Sequence, residues 1–211
     1  TSGQLFIAKY PGVMGNSLKV IAIDAHGWGA TNSTLSAAHQ VDQNTFKSNF
    51  DAAPPGTSSA MKAANGGAAT GNDEMHVIVI DEDGLWTGIP GYILEKHAYV
   101  SKASDAKRID GSSNYIGTVL RNESAYVWLG DKVAVTSSST DSGSEVDAGV
   151  NMSGSVFKSI NGSNKEIIGG SLTAGADGNA LTDTELQAGY ALFVNPEVVD
   201  VSLVMSGSAS T

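Results

Sequence analysis

Cysteine is absent from this chain of 211 residues, which excludes disulfides, thiolate metal sites and cysteine nucleophiles. Basic residues are few: 12 Lys and Arg stand against 22 Asp and Glu, a formal net charge of −10. Phosphate backbones and anionic membranes are gripped through basic footprints, so this balance argues against nucleic acid and against a membrane as partners. Long apolar runs are missing too. Crossing a bilayer takes roughly 18 or more such residues, and the densest strip, Val77-Ile78-Val79-Ile80, has only the length of a strand. The opening Thr1-Ser2-Gly3-Gln4 lacks a charged segment followed by an apolar one, so no secretory signal is visible. There is no initiator Met, and we expect a segment of a longer protein.

Hydrophobic residues make up 41% of the chain, enough for a real core in one large domain, or in one domain and part of another. Leu5 to Lys9 reads as a strand stopped by the turn dipeptide Pro11-Gly12. Leu18 to Ile23 reads as a second strand, and Met75 to Ile80 as a third whose unbroken apolar character predicts burial on both faces. Asp83-Gly84 predicts a turn leading to a return strand over Tyr92 to Val100, together a hairpin. Ser112-Ser113 is suited to capping a short helix over Asn114 to Arg121, with Tyr115, Ile116, Val119 and Leu120 on its buried face. Short strands are expected at Ala125 to Leu129 and Lys132 to Val135. Thr182-Asp183-Thr184-Glu185 is a capping box opening a helix over 183–194. Its predicted buried stripe is Leu186, Tyr190 and Phe193, Asn195-Pro196 ends it, and Val198 to Met205 follows as a strand.

Between these stretches lie polar linkers. Residues 51–73 hold one large apolar side chain, Met61, and 136–155 are mostly Ser, Thr, Gly and Asp, so both are expected as exposed loops. Asn161 to Gly178 is rich in Gly and Asn but keeps Ile167-Ile168. The expected fold class is α+β: a β-rich mixed sheet or sandwich with short flanking helices over residues 1–165, then 166–211 as a linker and the helix–strand opening of an α/β domain.

Motifs for chemistry do not assemble. His26, in Asp24-Ala25-His26-Gly27, has no second histidine three or four residues away. His76 and His97 fall on strands and could face each other across the sheet, although satisfied or exposed strand histidines are the plainer reading. Asp81-Glu82-Asp83-Gly84 starts like a calcium loop, but Leu85 and Trp86 occupy places that need oxygen ligands. Met205-Ser206-Gly207-Ser208-Ala209 lacks the second glycine of a nucleophile elbow, and no phosphate-binding glycine loop occurs. We therefore assign no catalytic, cofactor-binding or metal residue, and expect a protein that is not an enzyme.

Three segments carry a family resemblance. Tyr10-Pro11-Gly12 with Gly15-Asn16 precedes strand Leu18 to Ile23; the Asp83-Gly84 turn leads through Tyr92–Ser101 to Asp105, Lys107, Arg108 and Asn114-Tyr115; Gly169-Gly170 leads to the 183–194 helix and Val199-Asp200-Val201-Ser202-Leu203. In this order they resemble the tail sheath protein of large contractile-tailed bacteriophages. The loops at 24–73 and 136–160 match nothing in that pattern. The resemblance implies a structural subunit that polymerises helically around the tail tube. Its partners would be other sheath subunits, tube and baseplate proteins, its place the virion tail after assembly in the host cytoplasm, and it would need no cofactor. A secreted, adhesin-like β domain is the alternative suggested by the Ser/Thr/Gly-rich loops, and a serine hydrolase assembled by folding is a third.

Overall fold

The computed structural model describes residues 5–31, 33–130, 147–160, 167–195 and 197. Contacts divide the chain into two units, Thr1–Ala176 and Asp177–Thr211. The fold is α+β, with antiparallel strand pairing throughout the described ladders.

The first unit is built on β2 (Leu18–Asp24) and β3 (Glu74–Asp81). They pair antiparallel from Leu18 opposite Asp81 to Asp24 opposite Met75. Alternate residues serve opposite faces. Leu18, Val20, Ala22, Met75, Val77 and Val79 enter one core, while Ile21, Ile23, Ile78 and Ile80 enter another. That double burial explains the unbroken apolar strip. On one side of this pair lies β4 (Tyr92–Ser101) and on the other β6 (Ile168–Ser171), giving the order β4-β3-β2-β6. Gly169 sits at φ 97°, and a Cβ there would lie 2.1 Å from the Val20 carbonyl oxygen, so the β6 backbone approaches β2 in a way only glycine permits.

One face of the sheet is covered by α4 (Ile116–Glu123) and by a two-stranded ribbon of β1 (Phe6–Ala8) and β5 (Val127–Leu129). Phe6, Ile116, Val119, Leu120 and Val127 are buried there. The other face receives α1 (Ala25–Gly29) and α2 (Ala37–Asn49), capped by Asp24 and Ser36 respectively. Phe46 is fully buried against the isoleucines, and burying such a side chain is worth about 1.5–3 kcal/mol. Polar anchors complete the docking of α2: Lys19 Nζ meets Asp42 Oδ1 at 2.8 Å, and Gln43 Nε2 donates to the carbonyls of Gly27 and Ala30.

Several expectations need correction. Residues 51–73 are not an exposed loop, because α3 (Ser59–Ala64) forms there and Met61 is buried with Ala103, Ala106, Met152 and Phe157. Asp73 and Thr57 are also buried, Thr57 Oγ1 accepting from Gly71 N and donating to Ala69 O. In the 136–155 linker, Ala148 and Met152 are buried, and residues up to 146 lie outside those described. Ser112-Ser113 do not cap α4. Asn114 lies outside the helix, its backbone N–H donating to Ala106 O and its side chain to Tyr99 O, and the helix starts after the extended Tyr115 without a side-chain cap. The first unit continues past residue 165, since β6 pairs with β2.

In the second unit, α5 (Asp183–Ala191) carries the full Thr182–Glu185 capping box. Its expected buried stripe is not buried: Leu186 is half-buried, and Tyr190 and Phe193 are exposed. The strands expected at Lys132–Val135 and Val198–Met205 lie outside the described residues.

Candidate functional site

The motif Tyr10-Pro11-Gly12 leads into a 3₁₀ turn over Val13–Ser17, which aims the Asn16 side chain at the segment after β6. Asn16 Nδ2 donates to Gly175 O at 2.9 Å, and Gly175 N donates to Asn16 Oδ1 at 2.7 Å. A side chain at Gly175 would clash, its Cβ lying 2.2 Å from Gly12 O. The Gly-Asn motif and a segment 159 residues further along the sequence are thus clamped by one amide. Beside the clamp, Trp86 packs against Tyr10 and edge-on against Tyr126, with ring centroids 5.1 and 5.2 Å apart, and its Nε1 donates to Met14 O.

Trp86 belongs to the turn between β3 and β4, which is organised by one carboxylate. Asp81 accepts from Trp86 N at 3.0 Å, Thr87 N at 2.8 Å, Thr87 Oγ1 at 2.9 Å and Ser17 Oγ at 2.7 Å. Burial would raise its pKa, but these donors outweigh burial and hold it below the ordinary aspartate value. Ser17 Oγ in turn accepts from Asp83 N and Leu85 N. The calcium-like Asp81-Glu82-Asp83 run is therefore an anchored turn. It projects Leu85 and Ile89, which are 54% and 59% exposed, beside the Glu82 and Asp83 carboxylates.

A groove of about 490 Å³ lies on the outer face of the ribbon and α4, lined by Ile7, Tyr115, Thr118, Arg121, Trp128 and Leu129. Ile7 and Trp128 are cross-strand partners, both more than 40% exposed. Lys9 Nζ lies 5.9 Å from the Trp128 ring centre and donates to the carbonyls of Leu120, Arg121 and Ser124 at the end of α4.

A larger cleft, about 860 Å³, opens between α3, β4 and the 106–114 segment. Glu74 lines it with a pKa raised to about 7, first by burial and then by the Asp73 charge, against an opposing pull from Lys62. Asp73 is itself spent, accepting from Ser58 N and Ser101 Oγ. At the cleft's rim Arg108 is bonded to both Glu123 carboxylate oxygens, and Ile109 is fully exposed.

The histidines do not converge. His76 faces the isoleucine core and His97, opposite Val77, the other side, so the two do not face each other. His76 Nδ1 accepts from Tyr99 N at 3.1 Å while Nε2 donates to Ala52 O at 3.0 Å, and burial lowers its pKa, so the ring is neutral. That bond pins a bulge of β4, where Tyr99 adopts φ 54°. His97 Nε2 contacts Glu95 Oε2 at 3.2 Å.

His26 lies in α1 and not in a loop, and it lends the hub only its backbone. His26 N and Gly27 N donate to Asp24 Oδ1, while Asp24 Oδ2 accepts from Ile160 N at 2.6 Å and from Lys102 Nζ at 3.3 Å. Lys102 also donates to Lys158 O, and its side chain and that of Asp24 are 0% and 3% exposed. This is a buried structural hub.

Among the described residues no group of three or more His, Asp or Glu could hold a metal ion. The buried serines Ser17 and Ser101 donate to Asp81 and Asp73 rather than to a histidine, and buried Ser124 Oγ accepts from Tyr126 N and Val127 N and bonds to Glu95. What the surface offers is anchored apolar projections and grooves, the equipment of macromolecular contact. None of the groove residues was singled out from sequence as a site. The sequence pattern places Tyr115 on a buried helix face and in the Asn114-Tyr115 segment, and Ile7 and Trp128 simply on strands. Their shared signal is a large apolar side chain at the outward position of a short strand or helix. Comparison with protein-family models and with curated proteins finds no match to this chain.

Proposed function

We propose that this chain is part of a structural subunit of a contractile phage tail sheath, one that polymerises helically around the tail tube and drives contraction by changing how subunits pack. The observation that carries the reading is the Asn16–Gly175 clamp. It joins Asn16 of the Tyr-Pro-Gly and Gly-Asn motif to Gly175, five residues past the Gly169-Gly170 pair, so a motif residue from the start of the chain bears directly on the segment that leaves that pair.

The physics of the role suits the surface described. A sheath lattice grows through heterologous contacts, in which two different patches of one subunit meet those of its neighbours and the assembly does not close. Contraction is then a switch between two packings of nearly rigid bodies, driven by the difference in contact free energy and requiring no nucleotide. Interior rigidity comes here from the double core and the buried hub, and contact capacity from the anchored turn and the outer groove. The virion tail is the proposed location, with other sheath subunits, tube and baseplate proteins as partners.

Negative-stain microscopy of the full-length protein expressed alone tests the proposal. Long hollow cylinders are the expected result. A protein that stays monomeric at every concentration, or one labelled stoichiometrically by a serine-directed activity probe, overturns it.

A further inference from the structure

Two surfaces of the first unit combine exposed apolar side chains with charges of opposite sign. The turn after β3 projects Leu85 and Ile89 with Glu82 and Asp83, whose carboxylates make no ion pair among the described residues. The groove on the outer face of the ribbon and α4 offers Ile7, Trp128 and Leu129 as apolar walls. On its rim the exposed Arg121 guanidinium likewise lacks an ion-pair partner among the described residues. Arg108, the neighbouring guanidinium, is already held by Glu123 and is not available.

We propose that the β3–β4 turn of one copy docks into the Ile7–Trp128–Arg121 groove of a second copy, with Leu85 or Ile89 between Ile7 and Trp128 and Asp83 against Arg121. This rests on the sheath reading and gives its helical contact named residues.

Three features favour a second copy as occupant. The charges are complementary, acidic turn to basic rim, and charge pairing of this kind sets register and suppresses wrong partners. The turn is ordered in advance by Asp81 and Ser17, so binding spends little entropy on fixing it. The apolar walls include a tryptophan that is 46% exposed, with an arginine beside it, the side chains that most often dominate interface energetics. Turn and groove are different patches, so each copy uses one and leaves the other open, and the contact repeats without closing.

The test is a charge exchange in the full-length protein, read as the threshold concentration for polymerisation by light scattering and sedimentation. Arg121→Glu alone and Asp83→Lys alone are each expected to raise the threshold on the order of tenfold, equivalent to about 1.4 kcal/mol per contact. The double variant Arg121→Glu/Asp83→Lys is expected to return towards the wild-type value, and far-UV circular dichroism to be unchanged throughout. Single variants that polymerise like wild type, or a double variant no better than the worse single, overturn the docking while leaving the sheath reading intact. A wild-type protein that never polymerises removes both.

Discussion

Replacing Lys102 by methionine probes the buried hub. The two partners are not equivalent. Without Lys102, Asp24 keeps three amide donors, from His26, Gly27 and Ile160, so its charge remains stabilised by protein dipoles. Without the Asp24 carboxylate, the Lys102 ammonium is left in a site with no exposure, facing the Lys158 carbonyl. Three backbone N–H groups lose their acceptor as well. Breaking a buried pair from one side costs about 3–5 kcal/mol, and each buried donor left unmatched adds about 1–3 kcal/mol. Lys102→Met should therefore sit near the lower end, at about 3 kcal/mol. Asp24→Ala should exceed about 5 kcal/mol, comparable with the whole stability of many domains, about 5–15 kcal/mol. Equilibrium urea unfolding, followed by tryptophan fluorescence and circular dichroism, measures both. Equal losses for the two, or a larger loss for Lys102→Met than for Asp24→Ala, would refute the argument that the carboxylate is the centre of the hub.

Glu74 should make stability depend on pH near neutrality. Its folded pKa, about 7, lies above the ordinary 4.5, so its favourable contribution is full below the lower value and is lost as pH rises through about 7. Glu74→Gln should remove that decline, visible as a flatter stability profile between pH 5 and 8. Asp81 has the opposite sign. Its lowered pKa gives stability that is present above the ordinary 3.8 and is lost as pH falls through the folded value. Asp81→Ala should free the 82–91 turn, seen as faster chymotryptic cleavage at Leu85 or Trp86 while the core melts cooperatively. At the clamp, Asn16→Ala should cost about 1–2 kcal/mol for two lost hydrogen bonds. Gly175→Ala should cost more, because its Cβ would lie 2.2 Å from a carbonyl oxygen. Amide exchange across 172–176 reads both, and protection unchanged from wild type in both variants would count against the clamp.

The apolar strips made β2 and β3 legible, because double burial demands hydrophobic side chains at every position. The Asp83-Gly84 turn and the Thr182 capping box were legible for the same kind of reason, each satisfying a local rule. Helix α2 was not, since its buried face carries Asp42 and Gln43 beside Phe46 while Val41 points to solvent at 65% exposure. A helix docked by hydrogen bonds and an ion pair leaves no apolar period to read. Helix α3 hides for a related reason, resting on Met61 alone, and β6 is a strand of two glycines that β2 recruits by close approach. The candidate surface was least visible. Ile7, Tyr115 and Trp128 come from three elements, and only the folded register of β1 on β5 sets two of them side by side.

Asp24 gathers residues 102, 158 and 160, and β2 waits for 168–171 to complete its sheet. During synthesis, then, the centre of this unit cannot close until residue 171 has left the ribosome. Until that moment the antiparallel pair of β2 and β3 leaves the other edge of β2 bare, an arrangement prone to pairing with a neighbouring nascent chain. In a cell making many copies at once, the order in which these residues emerge sets a timing problem that the finished fold no longer reveals.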